Sequence, residues 1–359
     1  MTMISSLMEK LAELESIIRE RFEQGGYKSE IITGSVSPDH VPKVSSEEQD
    51  RISSLLEEKG RITKNIWAIT QTPVEEDLDL LLMEGNYYYD IQNFRKAREK
   101  FEKVLRIDPE NVKALINLGV TLEVLDEWEK ALKHFQRALK IFGELGDKSG
   151  VSLCLNNMGA IFYDQGDYGD ALEYFQRALK IFEELRDKGG ISNSLIGMSA
   201  TFSAQGDYGD ALEYYQRALK IFGELGDKGG IFLCLNNMGL IFYDQGDYER
   251  ALEYFQRVLK MAEELGDKGG VSLCLNNMGA IFYDQGDYGD ALEHYQRALK
   301  IFGELGDKSG ISECFINMGL CYEELGDQER ANELYEEGAK LCEEMGLHDQ
   351  AKEYRSWIE

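Results

Sequence analysis

The sequence predicts an all-α chain of stacked antiparallel helix pairs. Three observations point there: the chain repeats itself every 40 residues, its apolar residues fall at helical spacing, and Gly-Asp turns separate the runs. The period is fixed by Gly146, Arg186, Gly226, Gly266 and Gly306, each of which precedes an Asp-Lys pair. Residues 276–302 copy residues 156–182 with only Tyr174 replaced by His294 and Phe175 by Tyr295. One such pair leaves an apolar face open, and stacking identical pairs covers it.

Residues 1–77 stand outside the repeat. Ile4, Leu7, Leu11, Leu14 and Ile18 are spaced by three and four, and Ile52, Leu55, Ile62, Ile66 and Ile69 keep the same rhythm with Lys59 interrupting it. Both stretches read as coiled-coil-like helices. Between them, about 25–45, glycines, serines and two prolines without a period predict a mobile linker. Two roles are open to this helical pair: capping the first repeat, or serving in dimerisation or regulation.

Inside a repeat, Leu155, Met158 and Phe162 mark a first helix, and Ala171, Leu172, Phe175, Ala178 and Leu179 a second. In the turn "DQGDYGDA", Gly166 is expected to end the first helix in a left-handed conformation. Asp167 is expected to cap the next helix and Asp170 to sit near its positive end.

These residues resemble the tetratricopeptide repeat (TPR) family, whose pattern places Leu-Gly, an aromatic, Ala, Phe and Ala at fixed offsets. Leu118-Gly119, Leu122, Ala131, Phe135 and Ala138 match it, as do Met158-Gly159, Phe162, Ala171, Phe175 and Ala178. The resemblance implies a right-handed TPR solenoid with seven repeats over 78–345, starting near 78, 112, 152, 192, 232, 272 and 312. The first repeat has Pro109 after its second helix. Later repeats have Gly143, Glu183, Gly223, Glu263 or Gly303 there, so that helix is expected to run on for about another turn, a style similar to kinesin light chain and Pins-type adaptors. Residues 346–359, with Leu347, Ala351, Tyr354 and Ile358 on one face, are expected to form a C-terminal capping helix.

Composition narrows the function. Lys+Arg total 39 against Asp+Glu 66, a net charge of -27, which opposes binding to nucleic acid or anionic membrane and favours basic or neutral partners. Cys154, Cys234 and Cys274 recur at one repeat position where Ser194 stands in another, so they are expected to be reduced core residues. Glu9 and Lys10 interrupt any signal-peptide core, and a cytoplasmic location is the default.

Candidate chemical sites fail one by one. "GELGDKS" at 143–149 follows a helix and puts Asp147 where a phosphate would sit. The "DQGDYGD" loops lack the spacing of a calcium loop, no Cys-x-x-Cys pair exists for zinc, and nothing marks a catalytic triad. No cofactor or metal is expected, and the chain reads as a non-enzyme.

A row of asparagines remains. The TPR resemblance implies that the first helix of each repeat lines a concave groove, and at one position of that helix stand Asn117, Asn157, Asn237, Asn277 and Asn317. Asn156, Asn236 and Asn276 precede three of them. Asn is a mediocre helix former, whereas its amide can satisfy both the C=O and the N–H of an extended peptide. Further along lie Tyr163 and Asp164, Tyr243 and Asp244, Tyr283 and Asp284, offering apolar surface with a hydroxyl and attraction for cations. The fourth repeat has Ile196, Gly197, Ser203 and Ala204 instead, which divides the expected groove into two segments. The expectation is a scaffold binding extended, basic or neutral segments of other proteins. Two other readings are a peptide-responsive regulator of Rap-like architecture and a self-assembling solenoid, with homo-oligomers formed through the N-terminal helices.

Overall fold

A computed structural model of the chain describes residues 2–28, 31–32, 44–71 and 76–358, which contain seventeen α-helices and no strand. Two helices lead: α1 (Thr2–Gln24) and α2 (Ser46–Thr70). Pairs follow: α3 (Leu78–Asp90) with α4 (Phe94–Ile107), α5 (Val112–Val124) with α6 (Trp128–Leu145), and α7 (Lys148–Asp164) with α8 (Tyr168–Leu185); α9 (Lys188–Gln205) and α10 (Tyr208–Leu225) come next along the chain. The series continues through α11 (Lys228–Asp244) and α12 (Tyr248–Leu265), α13 (Lys268–Asp284) and α14 (Tyr288–Leu305), and α15 (Lys308–Glu324) and α16 (Gln328–Glu344). It ends in α17 (His348–Arg355). The fold is that of a TPR solenoid. It divides into two compact bodies, Met1–Gly197 and Met198–Glu359.

The same turn chemistry starts most first helices. Asp147, Asp227, Asp267 and Asp307 each accept a hydrogen bond from the glycine N–H three residues on, and Asp187 does so at α9. Gly146, at φ 68, and Gly166, at φ 78, close the helices before their turns in the left-handed region. The expected cap at Asp167 is different: its side chain makes no capping bond. Asp247 and Asp327 do cap, and there the third helical residue is Arg250 or Arg330, which pairs with the carboxylate. In α8 that residue is Asp170, whose like charge gives no such hold. First helices of the later repeats start at Lys148 and its equivalents, one turn ahead of the expected repeat starts, and α6 has 18 residues against 14 in α4.

In the N-terminal body, α1 and α2 share one core with the first repeats. Leu11, Ile18, Phe22, Ile52, Ile62 and Ile66 are buried together with Leu80, Tyr87 and Phe101. Lys59, the break in the apolar rhythm, places its ammonium 2.7 Å from the fully buried Glu84 and 3.3 Å from Glu15. Lys100 pairs with the same Glu84. Burial alone would raise the Glu84 carboxyl, but the two ammonium groups hold it below its ordinary value. A polar residue on an apolar face therefore ties α1, α2, α3 and α4 to one buried charge. Ile69, expected on the same face, is 43% exposed in the last turn of α2.

The expected linker needs correcting where it is described; residues 29–30 and 33–43 lie outside the described residues. Tyr27 is 1% exposed, its ring 5.8 Å from Phe22 and 5.4 Å from Tyr87, and Ile31 and Ile32 pack on the core. Each residue has a different partner, so no period announces it.

In the C-terminal body, α17 seals the last repeat with Ala351 against Ala339 and Cys342, while Tyr354, Trp357 and Ile358 cover Ile316 and Tyr335. Leu347 departs from the expected stripe because it stands ahead of the helix and is exposed. All six cysteines are buried and free, and burial pushes the thiols of Cys154, Cys234, Cys274, Cys314 and Cys321 up to about 12.

Each described first helix but one brings a glycine against a ring of its partner helix. A Cβ on Gly119 would lie 2.6 Å from the Phe135 ring, whereas one on Gly143 would meet nothing within 4 Å. Gly119→Ala is therefore expected to cost about 1–3 kcal/mol through overpacking. Gly143→Ala is expected to add about 0.5–1 kcal/mol by helix propensity. Denaturant midpoints of the two variants moving in the same direction would contradict this account.

Candidate functional site

The site is best read by counting from that glycine. Asparagine stands two residues before it, and residues one, four and five after it lie farther along the same helix. In α7 these are Asn157, Ala160, Tyr163 and Asp164; in α3 and α5 the same count reaches Asn86, Asp90, Asn117 and Glu123. Asn86, Asp90 and Glu123 escaped the sequence reading, although counting from Gly85 and Gly119 would have found them.

The paired asparagines divide into two kinds. Asn236 and Asn276 are buried, 8% and 5% exposed, and they spend their amides on the next repeat. Asn236 Oδ1 accepts from Asn277 Nδ2 at 3.4 Å, and Asn276 Oδ1 accepts from Asn317 Nδ2 at 3.3 Å. Asn276 also donates to Glu313 at 2.8 Å, and Asn156 accepts from the Ser194 hydroxyl at 2.9 Å. The second asparagines, Asn157, Asn237, Asn277 and Asn317, are half-buried. Asn157 Nδ2 is a buried donor with no hydrogen-bond partner among the described residues.

Asn117 is a third case. It is fully buried, its Oδ1 accepts the backbone N–H of Ile32 at 2.7 Å, and its Nδ2 donates to Asn86 Oδ1 at 2.8 Å. Asn86 in turn donates to the Lys28 carbonyl at 2.8 Å. Asp90, in the register of Asp164, accepts the hydroxyl of Tyr27. Two side chains of the repeats thus hold one C=O and one N–H of the chain's own N-terminal connection.

The far ends of the first helices are acidic. Glu123 is pushed up to about 8, first by burial and then by the charge of Asp164. Asp164, exposed at its rim, is raised by partial desolvation and by Asp126. In the C-terminal body Asp244 is likewise raised by desolvation, and Tyr243 donates its hydroxyl to Asp284 at 2.7 Å. Tyr163 and Tyr283 are half-buried against Tyr168 and Tyr288, with ring centroids 5.9 and 5.5 Å apart. Such a surface attracts a cation and offers rings to pack against it. Among the described residues, no group of three or more His, Cys, Asp or Glu could hold a metal ion, and no helix is long and apolar enough to cross a membrane.

Tetratricopeptide repeat models match residues 79–111, 111–184, 154–224, 190–264, 236–304 and 271–344. No curated protein matches the chain. Among solved structures, BtubC (BKLC) from P. vanneervenii is similar at 24% identity and TM-score 0.54, over 61% of this chain and 92% of its own. Aspartyl phosphate phosphatase F from Bacillus subtilis is similar at 16% identity and TM-score 0.57, over 91% of this chain and 95% of its own. A Rap protein complexed with competence and sporulation factor is similar at 16% identity and TM-score 0.55, over 99% and 97%.

The raised Glu123 carboxyl carries a sign. Its folded value lies above the ordinary 4.5, so its ionisation costs nothing below that value, and the cost grows as pH rises until it is complete above about 8. Glu123→Gln is expected to raise the melting temperature at about pH 9 and leave it unchanged at about pH 4. An equal shift at both would exclude the carboxylate charge as the cause.

Proposed function

The chain belongs to the tetratricopeptide repeat family, and on that footing we propose that it is a non-enzymatic interaction scaffold whose first helices bind an extended, basic or neutral segment of another protein. The observation that carries this reading is the capture of Lys28 C=O and Ile32 N–H by Asn86 and Asn117. Backbone groups are common to every peptide, so amides that hold them in one place supply affinity without fixing sequence. Asn157, Asn237, Asn277 and Asn317 offer the same chemistry, and Glu123, Asp164 and Asp244 add preference for Lys or Arg. Asn156, Asn236 and Asn276 serve this surface indirectly, by holding successive first helices together.

A second reading is a peptide-responsive regulator of Rap-like architecture. It is favoured by the likeness to the Rap protein, which extends over 99% of the chain and so includes α1 and α2. The two readings differ in what a bound peptide does to those helices. Unchanged amide exchange in α1 and α2 on peptide binding favours the scaffold, and a change there favours the regulator.

Selection of a displayed random-peptide library on the intact chain tests the scaffold. Enriched peptides are expected to carry Lys or Arg and few acidic residues. They should bind Asn157→Ala/Asn237→Ala/Asn277→Ala at least about tenfold more weakly with helical circular dichroism intact, as expected for three lost hydrogen bonds. Equal binding to both proteins rejects the amide rungs, and enrichment of acidic peptides rejects the charge preference.

A further inference from the structure

Tyr27, Lys28, Ile31 and Ile32 connect two helices, yet they are held as a ligand would be. Three kinds of contact meet here. The Tyr27 hydroxyl donates to Asp90 and its ring is enclosed by Phe22 and Tyr87. A continuous chain of hydrogen bonds runs from Ile32 N–H through Asn117 and Asn86 to Lys28 C=O. Ile31 and Ile32 rest on the buried core of the first repeats. Asn117 stands in the register of Asn157, and Asp90 in that of Asp164, so these contacts use the positions that would serve an outside peptide.

We propose that this connection is a built-in ligand of the first two repeats, and that an outside peptide carrying the same groups competes with it for Asp90, Asn86 and Asn117. The inference rests on the reading of the first helices as a peptide-binding surface and adds an occupant and a regulation to it. A tethered occupant acts at an effective concentration in the millimolar range, so only a minor fraction of molecules has the site open. The apparent affinity for a competitor falls by that fraction. An outside peptide that continues past Asn157 toward Asn117 must displace the segment, which is covalently joined to α1. Occupancy of the repeats is thereby coupled to the N-terminal helices.

The test uses a labelled synthetic peptide with the sequence of residues 25–34 as the probe and the full chain as the receptor. Tyr27→Phe with Ile32→Pro deletes the phenolic hydroxyl and the backbone donor while keeping the buried ring. By fluorescence anisotropy this variant is expected to bind the probe at least about fivefold more tightly than the wild type, the opening expected from losing such hydrogen bonds. Adding Asn117→Ala should cancel the gain. Equal affinity of the wild type and the double variant would overturn the proposal.

A second measurement needs no substitution. The Ile32 amide of the wild type should exchange with deuterium more slowly than in the free probe peptide, and saturating probe should speed it. Exchange at the free-peptide rate, or no response to probe, would overturn the proposal equally. Both measurements read Asn117 and the Ile32 amide, which the library selection does not, so failure of the outer rungs and failure of the built-in ligand are told apart.

Discussion

The close contact between a first-helix glycine and a second-helix ring governs the rest of the structure. A Cβ on Gly85 would lie 2.3 Å from Phe101, on Gly159 2.9 Å from Phe175, on Gly279 2.7 Å from Tyr295, and on Gly319 2.5 Å from Tyr335. Only a residue without a side chain lets the two helices approach this far. The approach buries Ala97, Ala131, Ala171, Ala251, Ala291 and Ala331 completely, and it fixes the rotation of each first helix that carries the glycine. With that rotation fixed, residues at constant offsets from the glycine keep constant surroundings. The asparagine register follows from this packing.

The same logic explains why α1 and α2 belong to the first repeats. Glu84 precedes the glycine of α3 and is wholly buried, where an isolated carboxylate would be prohibitive. Lys100 from the partner helix and Lys59 from α2 answer it together, and Glu15 of α1 answers Lys59. Removing one partner from such a network costs about 3–5 kcal/mol because the remaining charge stays buried. The network therefore specifies how the leading helices dock more than it adds to stability. With α1 and α2 held in place, Tyr27 and Ile32 are delivered to Asp90 and Asn117 at low entropic cost.

The sequence is legible where one rule is used many times. The 40-residue period, the glycine C-caps, the extra turn of α6 and the alanine-aromatic core all follow from repetition and helical spacing. Lys59 is visible as an interruption, but its meaning depends on Glu84 and Lys100, which only the fold brings near. Tyr27, Ile31 and Ile32 are illegible for another reason: a segment that binds side chains of distant helices has no pattern of its own. Asp167 was misjudged because capping depends on the residue three positions on, where a carboxylate replaces an arginine.

Copied residues do not acquire copied states. Asn277 donates back to Asn236, and Asn317 donates back to Asn276, across 41 residues in each case. The corresponding place for Asn157 is Ile116, an apolar and fully buried residue with no side-chain acceptor to offer. The orphaned Nδ2 of Asn157 follows directly, since its neighbour is the second repeat, which lacks the asparagine pair. A buried donor left unpaired costs about 1–3 kcal/mol, and a carbonyl from a bound peptide would offset it. The Asn117 donor has already found its acceptor in Asn86, and those of Asn277 and Asn317 have found theirs in the preceding repeat. The rung beside the built-in segment is thus the one whose donor most lacks a partner, and it lies in the body that also carries the raised carboxyls of Glu123 and Asp164. A peptide placing a backbone carbonyl at Asn157 and a cation at those two acids would meet both unsatisfied demands at once.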